Sequence, residues 1–274
     1  MSTTLAAGPT DDLENGHRPT TADGDNLVLD HIRAEAAAYA TLATTAGGRV
    51  HHVPELQLRC ADLGVATPFG AGAFLEGPAP DTALDELSAQ LHSFFGGSTG
   101  GPFLLFAPWP ITDLTDRGFA RIGHPPLMFR PAGGNAPVAD NLRIVEVRDV
   151  DTLADFERTL ILGYPVPEMQ PWVRGSFLHP EVLDTRWRFF VGYRDDQPVA
   201  TAACYVTDVI TMIELVAVLP EARGGGVGAA ITAAATLTEP TRPATLIASD
   251  LGRPTYDRLG YVPLIRYSLW LGQR

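Results

Sequence analysis

The chain has 274 residues, 45% of them hydrophobic, and a formal net charge of −12. That is enough for one large domain or two small ones with a proper core. The acidic balance argues against non-specific binding to nucleic acid, which needs a basic surface. The two cysteines, Cys60 and Cys204, form no CxxC and no zinc pattern, and are expected to be buried as small hydrophobes. No apolar run reaches the roughly 20 residues of a membrane helix. Met1-Ser2-Thr3-Thr4 lacks the basic and apolar regions of a secretory signal, so the expected location is cytoplasmic, with no membrane partner. All 20 basic residues are arginine, in keeping with a GC-rich codon bias that also favours Ala and Gly. The charge is uneven: residues 1–140 carry 16 Asp/Glu and 7 Arg, residues 141–274 carry 16 and 13.

Residues 1–26 are polar with almost no apolar periodicity and read as a disordered tail. A helix is expected over 27–46, stopped by Gly47-Gly48. Strand-like runs follow at 49–59 and 63–76. A second amphipathic helix covers 81–95, with Asp81 as its N-cap and Leu84, Leu87, Leu91 and Phe95 on one face. Gly96–Gly101 is a loop, and Phe103–Phe106 a buried strand. The Pro/Gly-rich stretch 131–140 is the best linker. Beyond it the punctuation is cleaner. A strand at 142–147, a helix at 151–163, a Pro- and aromatic-rich segment at 164–180, and strands at 187–193, 199–206 and 209–219 precede a glycine loop. A helix at 226–238, a strand at 244–248, a short helix at 253–258 and a last strand pair or bend at 261–271 complete the chain. The order suits an α/β fold with a mixed sheet and helices on both faces.

The most informative stretch is Leu215–Gly228, where an apolar strand ends at Pro220 and Arg223-Gly224-Gly225-Gly226-Val227-Gly228 opens a helix beginning near Ala229. Backbone N–H groups at such a helix start, with the helix dipole behind them, favour a phosphate-bearing ligand. The loop also satisfies a dinucleotide pattern, but Pro-Glu-Ala-Arg separates it from its strand and only about fifty residues follow, against the long βαβ series that pattern needs. A Walker loop is excluded because no Gly-Lys-Ser/Thr is present. There is also an internal echo. Leu114-Thr-Asp-Arg-Gly-Phe119 resembles Thr255-Tyr-Asp-Arg-Leu-Gly-Tyr261, and the strands Leu127–Arg130 and Leu264–Tyr267 align with one gap. Two copies of one fold are implied, the first without a glycine loop.

The glycine loop and the later Ala248–Tyr261 segment together resemble the GNAT (Gcn5-related) acyl-CoA N-acyltransferases. Arg223, Gly226 and Gly228 fill the family's pyrophosphate-loop slots, and Tyr256, Gly260 and Tyr261 its Tyr-x-x-x-Gly-aromatic segment. The resemblance covers about 141–274. It implies a tandem arrangement of two GNAT-like domains with mixed central sheets flanked by helices: a degenerate copy at 27–130 without a pyrophosphate loop, a linker at 131–140, and an acyl-CoA-binding catalytic domain at 141–274.

The resemblance implies an N-acetyltransferase that moves acetyl from acetyl-CoA, its acyl-donor substrate, to an amine by direct attack in a ternary complex. The alternative is a non-catalytic acyl-CoA-binding regulatory module. Gly224, Gly225, Gly226, Val227, Gly228 and Ala229 would hold the pyrophosphate, with Arg223 near the entrance. A backbone N–H near Ala217 or Val218 would stabilise the oxyanion. Tyr256 is the expected acid on the CoA sulfur, and Glu214 the candidate base, directly or through water. Ser249 and Asp250 would contact CoA or order a water, Asp250 alternatively capping the next helix. Tyr164, Trp172 and Phe177 lie where the family forms its acceptor wall. His51 and His52 point to opposite faces of a strand and show no metal spacing, so no metal is expected. The acceptor is expected to be a small-molecule or peptide amine, and the protein a monomer or homodimer.

Overall fold

The computed structural model describes residues 22–97, 100–164 and 166–274. Helix α1 (Ala22–Thr45) is followed by β1 (Arg49–Val53), β2 (Leu58–Asp62), β3 (Ala71–Leu75), α2 (Leu84–Gly96), β4 (Phe103–Ala107), β5 (Phe119–Gly123) and β6 (Pro126–Arg130). Beyond the 131–140 stretch come β7 (Arg143–Glu146), α3 (Val150–Gly163), β8 (Trp187–Arg194), β9 (Gln197–Val206), β10 (Thr211–Val218), α4 (Val227–Thr236) and β11 (Ala244–Ile247). The last elements are α5 (Arg253–Arg258), β12 (Val262–Arg266) and β13 (Ser268–Gly272).

These strands form two mixed sheets. The first runs β1-β2-β3-β4-β13-β5 and the second β12-β6-β11-β10-β9-β8-β7. Only β3–β4 and β10–β11 pair in parallel; their α2 and α4 crossovers make that possible. The element order repeats: α1-β1-β2-β3-α2-β4 matches α3-β8-β9-β10-α4-β11, with β7 added at an edge. The repeat closes with an exchange. Strand β6, from before the 131–140 stretch, lies between β11 and β12 of the second sheet, and β13 lies between β4 and β5 of the first. Each sheet therefore contains one strand from the other half. The chain crosses twice at one point, where the Tyr267 N–H donates to the Pro125 carbonyl at 3.0 Å.

The two copies end alike. Gly118 (φ +86°) and Gly260 (φ +84°) adopt the left-handed conformation glycine tolerates best, then an aromatic residue, Phe119 or Tyr261, returns into its core. The strand directly after each aromatic is β5 or β12, so the match of 127–130 with 264–267 is one strand out of register: β6 corresponds to β13. Strand β5 was hidden because Arg121 and Ile122 are exposed on an edge, leaving no apolar run to read.

Helix α1 is buried on more than one stripe, with Ile32, Ala36, Tyr39 and Ala43 joined by Ala34, Ala38 and Leu42. An Ala-rich helix covered this broadly lies between layers. It packs on β2 and β3, while the Trp187 indole donates to its Ala38 carbonyl at 3.3 Å from the other sheet. It begins at Ala22, so residues 22–26 of the expected tail are helical; residues 1–21 lie outside the described residues. Helices α2 and α4 cover the outer faces, through Leu84, Leu87, Leu91 and Phe95 and through Val227, Ile231 and Ala235. Asp81 does not cap α2. It sits in a tight turn and accepts from the Thr112 hydroxyl, and the α2 N-cap position is Ala83 with no side-chain bond.

The exchanged β13 is fastened at its far end. Arg274 donates through both terminal nitrogens to Asp62 (2.7 and 3.0 Å), stacks on Phe95, and donates to the carbonyls of Phe95 and Gly101. Burial opposes ionisation of Asp62, but hydrogen bonds from Arg274, the Gly64 N–H and Arg49 hold its carboxyl down to about 2. The stabilisation is therefore present above pH 3.8, the ordinary value, and is lost as pH falls through about 2. We predict that Arg274→Ala lowers unfolding stability at neutral pH by about 3 kcal/mol, as expected for breaking a buried pair. It should also flatten the acid-induced part of the Tm–pH curve, measured by thermal unfolding between pH 2 and 6 with Asp62→Asn as the matching variant.

Candidate functional site

Strand β10 carries the irregularity from which the site is built. Glu214 faces Ala203 of β9 and Ala217 faces Thr201, so three steps on β10 oppose two on β9. This is a β-bulge, and Leu215 takes a left-handed φ of +54° within it. A leucine there costs about 1–2 kcal/mol relative to a right-handed residue. The buried Thr201 hydroxyl donates to the Leu215 carbonyl at 3.0 Å and ties the bulge in place. From just before the bulge onward β10 parts from β11: only Thr211–Ala244 and Met212–Thr245 pair, and 213–218 are unpaired with 246–249. The same position in the first half has no opening, since β3 stays paired with β4 at Gly72, Ala73 and Phe74.

The divergence opens on a cavity of about 270 Å³ between the two sheets. The second half contributes Glu214, Leu215, Tyr164, Ile247, Ala248 and Ser249, and the first contributes Glu35, Tyr39, Thr67, Phe69, Leu104 and Phe106. Pro125 and Leu269 from the strand crossing also line it, as do Leu160, Ile161 and Met169. Of the expected acceptor-wall aromatics, Tyr164 and Phe177 line this cavity. Trp172 does not; its indole donates to Glu157 at 3.0 Å.

Two carboxyl groups face the cavity. Burial pushes Glu214 up to about 7, against a lowering contact from the Leu215 N–H. Glu35, 1% exposed, is pushed well above the carboxylate range by burial and then by the Glu214 charge. Its Oε2 has no hydrogen-bond partner and lies 3.8 Å from His31 Nε2. Burial pushes His31 down to about 3, so the imidazole is neutral; its Nδ1 meets the Thr245 hydroxyl at 2.9 Å. Tyr256 is buried on α5, edge-on to Tyr261, with its ring so close to Gly252 that a Cβ there would lie 2.9 Å away. Burial raises its phenol, followed by the nearby Tyr164 and Glu214. Tyr256 is not part of the cavity wall itself. Ser249 is, and its Oγ also accepts from the Gly252 N–H at 3.1 Å. Asp250 is exposed and does not cap α5, whose N-cap position is Gly252.

At the other end of β10 the loop turns through Gly224, Gly225 and Gly226 with φ of +84°, +58° and +78°. Three left-handed residues in succession curve the backbone into a concave nest of N–H groups. The first turn of α4, Val227, Gly228 and Ala229, adds N–H groups without intrahelical partners and carries no acidic residue. The corresponding α2 turn of the first half has Asp85 and Glu86 instead, which repel an anion. Arg223 is exposed and donates to the carbonyls of Val218 (3.2 Å) and Gly163 (3.4 Å), bracing the loop against the end of α3. Helix α3 approaches closely there, where a Cβ on Gly163 would meet that of Ala217 at 3.1 Å.

Two residues of this region escaped the sequence reading. Arg194, at the end of β8, places a guanidinium nitrogen 3.8 Å from where a Gly225 Cβ would be, and its buried Nε has no partner. Glu157 is 1% exposed and accepts from the Trp172 indole and the N–H groups of Gly175, Phe177 and Leu178, which pins the 164–180 segment over α3. Both lie far in sequence from any motif; Glu157 showed only as a polar residue beside the helix's apolar stripe. Both cysteines are buried with thiols raised by burial, Cys204 to about 12, so neither is set up as a nucleophile.

Residues 185–263 match the family model described as an acetyltransferase (GNAT) domain. No curated protein matches the chain. Among solved structures it is similar to a GCN5-related N-acetyltransferase from Kribbella flavida, at 22% identity and a TM-score of 0.62, covering 88% of this chain and 95% of that one. It is also similar to a conserved protein of unknown function from Staphylococcus epidermidis (17% identity, 76% and 86% covered, TM-score 0.55). A GNAT-family protein from Novosphingobium aromaticivorans follows (21% identity, 81% and 92% covered, TM-score 0.51). The matched segment spans the bulge, the divergent strands, the glycine nest and α5, and the likeness of fold extends over both sheets. Residues 185–263 therefore match a GNAT acetyltransferase domain, and the chain as a whole shares the two-sheet fold of a GCN5-related N-acetyltransferase.

Proposed function

We propose that this protein is an acyl-CoA-dependent N-acetyltransferase that transfers acetyl from acetyl-CoA to an amine by direct attack in a ternary complex. The observation that carries this reading is the single diverging strand, β10, with a glycine nest at one end and a carboxyl facing the cavity at the other. The fit to the donor is good. The Gly224–Ala229 N–H groups and the Arg194 guanidinium would hold the pyrophosphate, and Arg223 would keep that loop fixed on its strand. Bound along β10, acetyl-CoA supplies a thioester carbonyl and a thiolate leaving group.

The chain's own groups would do the rest. The freed backbone at the bulge, near Ala217 and Val218, would donate to the developing oxyanion, a contact worth about 3 kcal/mol in comparable sites. Glu214, at about 7, is matched to proton removal from an amine at neutral pH. Tyr256, its phenol raised by burial, stays protonated and would give its proton to the leaving sulfur. Ser249 would contact the donor from the opposite strand end. Transfer within one complex needs no acyl-enzyme, in keeping with the inert cysteines.

Three outcomes are expected. Gly226→Glu, which sets bulk and negative charge in the nest, should weaken acetyl-CoA binding at least about tenfold by calorimetry, more than 1.4 kcal/mol. Gly226→Ala brings only the backbone strain and should bind markedly better than the Glu variant; equal binding by all three proteins removes the donor assignment. In the second, kcat/KM for an amine, followed by thiol release, should rise with pH through about 7, the value to which Glu214 is raised. Glu214→Gln should abolish that limb with a loss of about 10²–10⁴-fold. Third, Tyr256→Phe should lower kcat by about 10²-fold with little change in acetyl-CoA affinity. Donor binding without thiol release toward any amine of a broad panel would mean a non-catalytic binding module.

A further inference from the structure

The cavity has one acidic pole and an otherwise uncharged, mainly apolar wall, in which Tyr39, Thr67, Tyr164 and Ser249 bear the polar groups. Glu35 enters from α1 of the first half and Glu214 from β10 of the second, and the rest is dominated by Phe69, Phe106, Leu160, Ile161, Met169 and Phe177. Among the described residues no arginine or histidine lines it. Among the described residues the basic group behind Glu35 is His31, 3.8 Å away, fully buried and neutral. The other groups facing Glu35 are the phenols of Tyr39 and Tyr267 and the carboxyl of Glu214, none of which supplies positive charge. Buried charge requires a partner of opposite sign. Among the described residues neither carboxyl meets an arginine across the cavity, and the orphaned Glu35 oxygen has beside it only the equally orphaned His31 Nε2, 3.8 Å away.

We propose that Glu35 is a specificity-determining residue: with Glu214 it forms the acidic pole that takes the cationic head of an acceptor whose body is apolar, a small alkyl or arylalkyl monoamine. This rests on the acetyl-transfer reading above and narrows its substrate. A free amino acid is disfavoured because no wall cation receives its carboxylate. A polyamine is disfavoured because its further ammonium groups would lie against phenyl and leucine side chains. Burial keeps Glu35 protonated while Glu214, raised to about 7, ionises around neutral pH, so the pair carries at most one negative charge, which matches one ammonium. On binding, the ammonium passes a proton to Glu214, and the neutral nitrogen attacks the thioester carbon. The C–N bond forms and the C–S bond breaks. The second nitrogen proton is lost as the thiolate gains one through Tyr256. Glu214 returns its proton to solvent, so one proton is released per turnover.

The test compares phenethylamine with phenylalanine, which differ by one carboxylate, and with spermidine, using thiol release and calorimetric binding in the wild type and Glu35→Gln. Phenethylamine should exceed both rivals in kcat/KM by about 100-fold or more. In Glu35→Gln its KM should rise at least about tenfold while kcat changes by less than about threefold, with acetyl-CoA affinity and melting temperature unmoved. Preference for phenylalanine or spermidine, or an unchanged KM in a folded Glu35→Gln protein, overturns the inference while leaving acetyl transfer standing. Glu35-dependent binding of phenethylamine with no thiol release from any amine does the reverse. If Glu35→Gln fails to fold, the wild-type preference among the three amines decides.

Discussion

The exchange of β6 and β13 is the constraint on which the rest of the molecule depends. Each of these strands has a neighbour from the opposite half on both sides, so neither sheet is complete without the other. The crossing at Pro125 and Tyr267 draws the sheets together, and Pro125 and Leu269 become part of the cavity wall. Helix α1, rich in alanine, fills the space that remains between the sheets. Its close approach brings Glu35 to the same cavity as Glu214, from a position 179 residues earlier in the chain. Without the exchange, the two halves could rotate about the 131–140 stretch and the cavity would have no fixed far wall.

The two copies then differ in the details that matter for binding an anionic donor. Strand β10 has a bulge and opens away from β11, whereas β3 stays paired with β4. Helix α4 begins on three left-handed glycines, while α2 follows a tight turn, has Ala83 at its N-cap and carries Asp85 and Glu86 in its first turn. An electropositive helix start is thereby available once. The first half keeps the scaffold but serves the second as a wall, supplying aromatic surface and a carboxyl.

Polarity differs sharply between the two ends of β10. The loop end offers backbone N–H groups and Arg194; the cavity end offers carboxyls in apolar surroundings. Low local polarity raises both carboxyls and the Tyr256 phenol, which keeps Glu35 and Tyr256 protonated and brings Glu214 to about 7. The strained Leu215 is held between these ends by Thr201, consistent with strain being retained where surrounding structure fixes it.

The sequence by itself determined what depends on local backbone chemistry. Gly224–Gly226 demanded a turn no other residues make cheaply, Tyr256 with Gly260 and Tyr261 marked the end of the fold, and the repeat of a Gly-aromatic closure disclosed two copies. Element types followed from periodicity, with losses where the pattern was faint, as at the edge strand β5 and at the start of α1. What only the tertiary structure decided were contacts between residues distant in the chain. The β10 bulge sits on a leucine, which gives no turn signal; its cause is pairing with β9 and the Thr201 bond. Strand exchange leaves no mark in either strand, because an apolar segment is equally content in either sheet. Glu35 and Glu157 look like ordinary polar positions beside the apolar stripe of a helix, and their burial is set by layers that close over them. Local conformational preference is written residue by residue, whereas burial, and the pKa values and charge pairing that follow from it, exists only once the two sheets share a core.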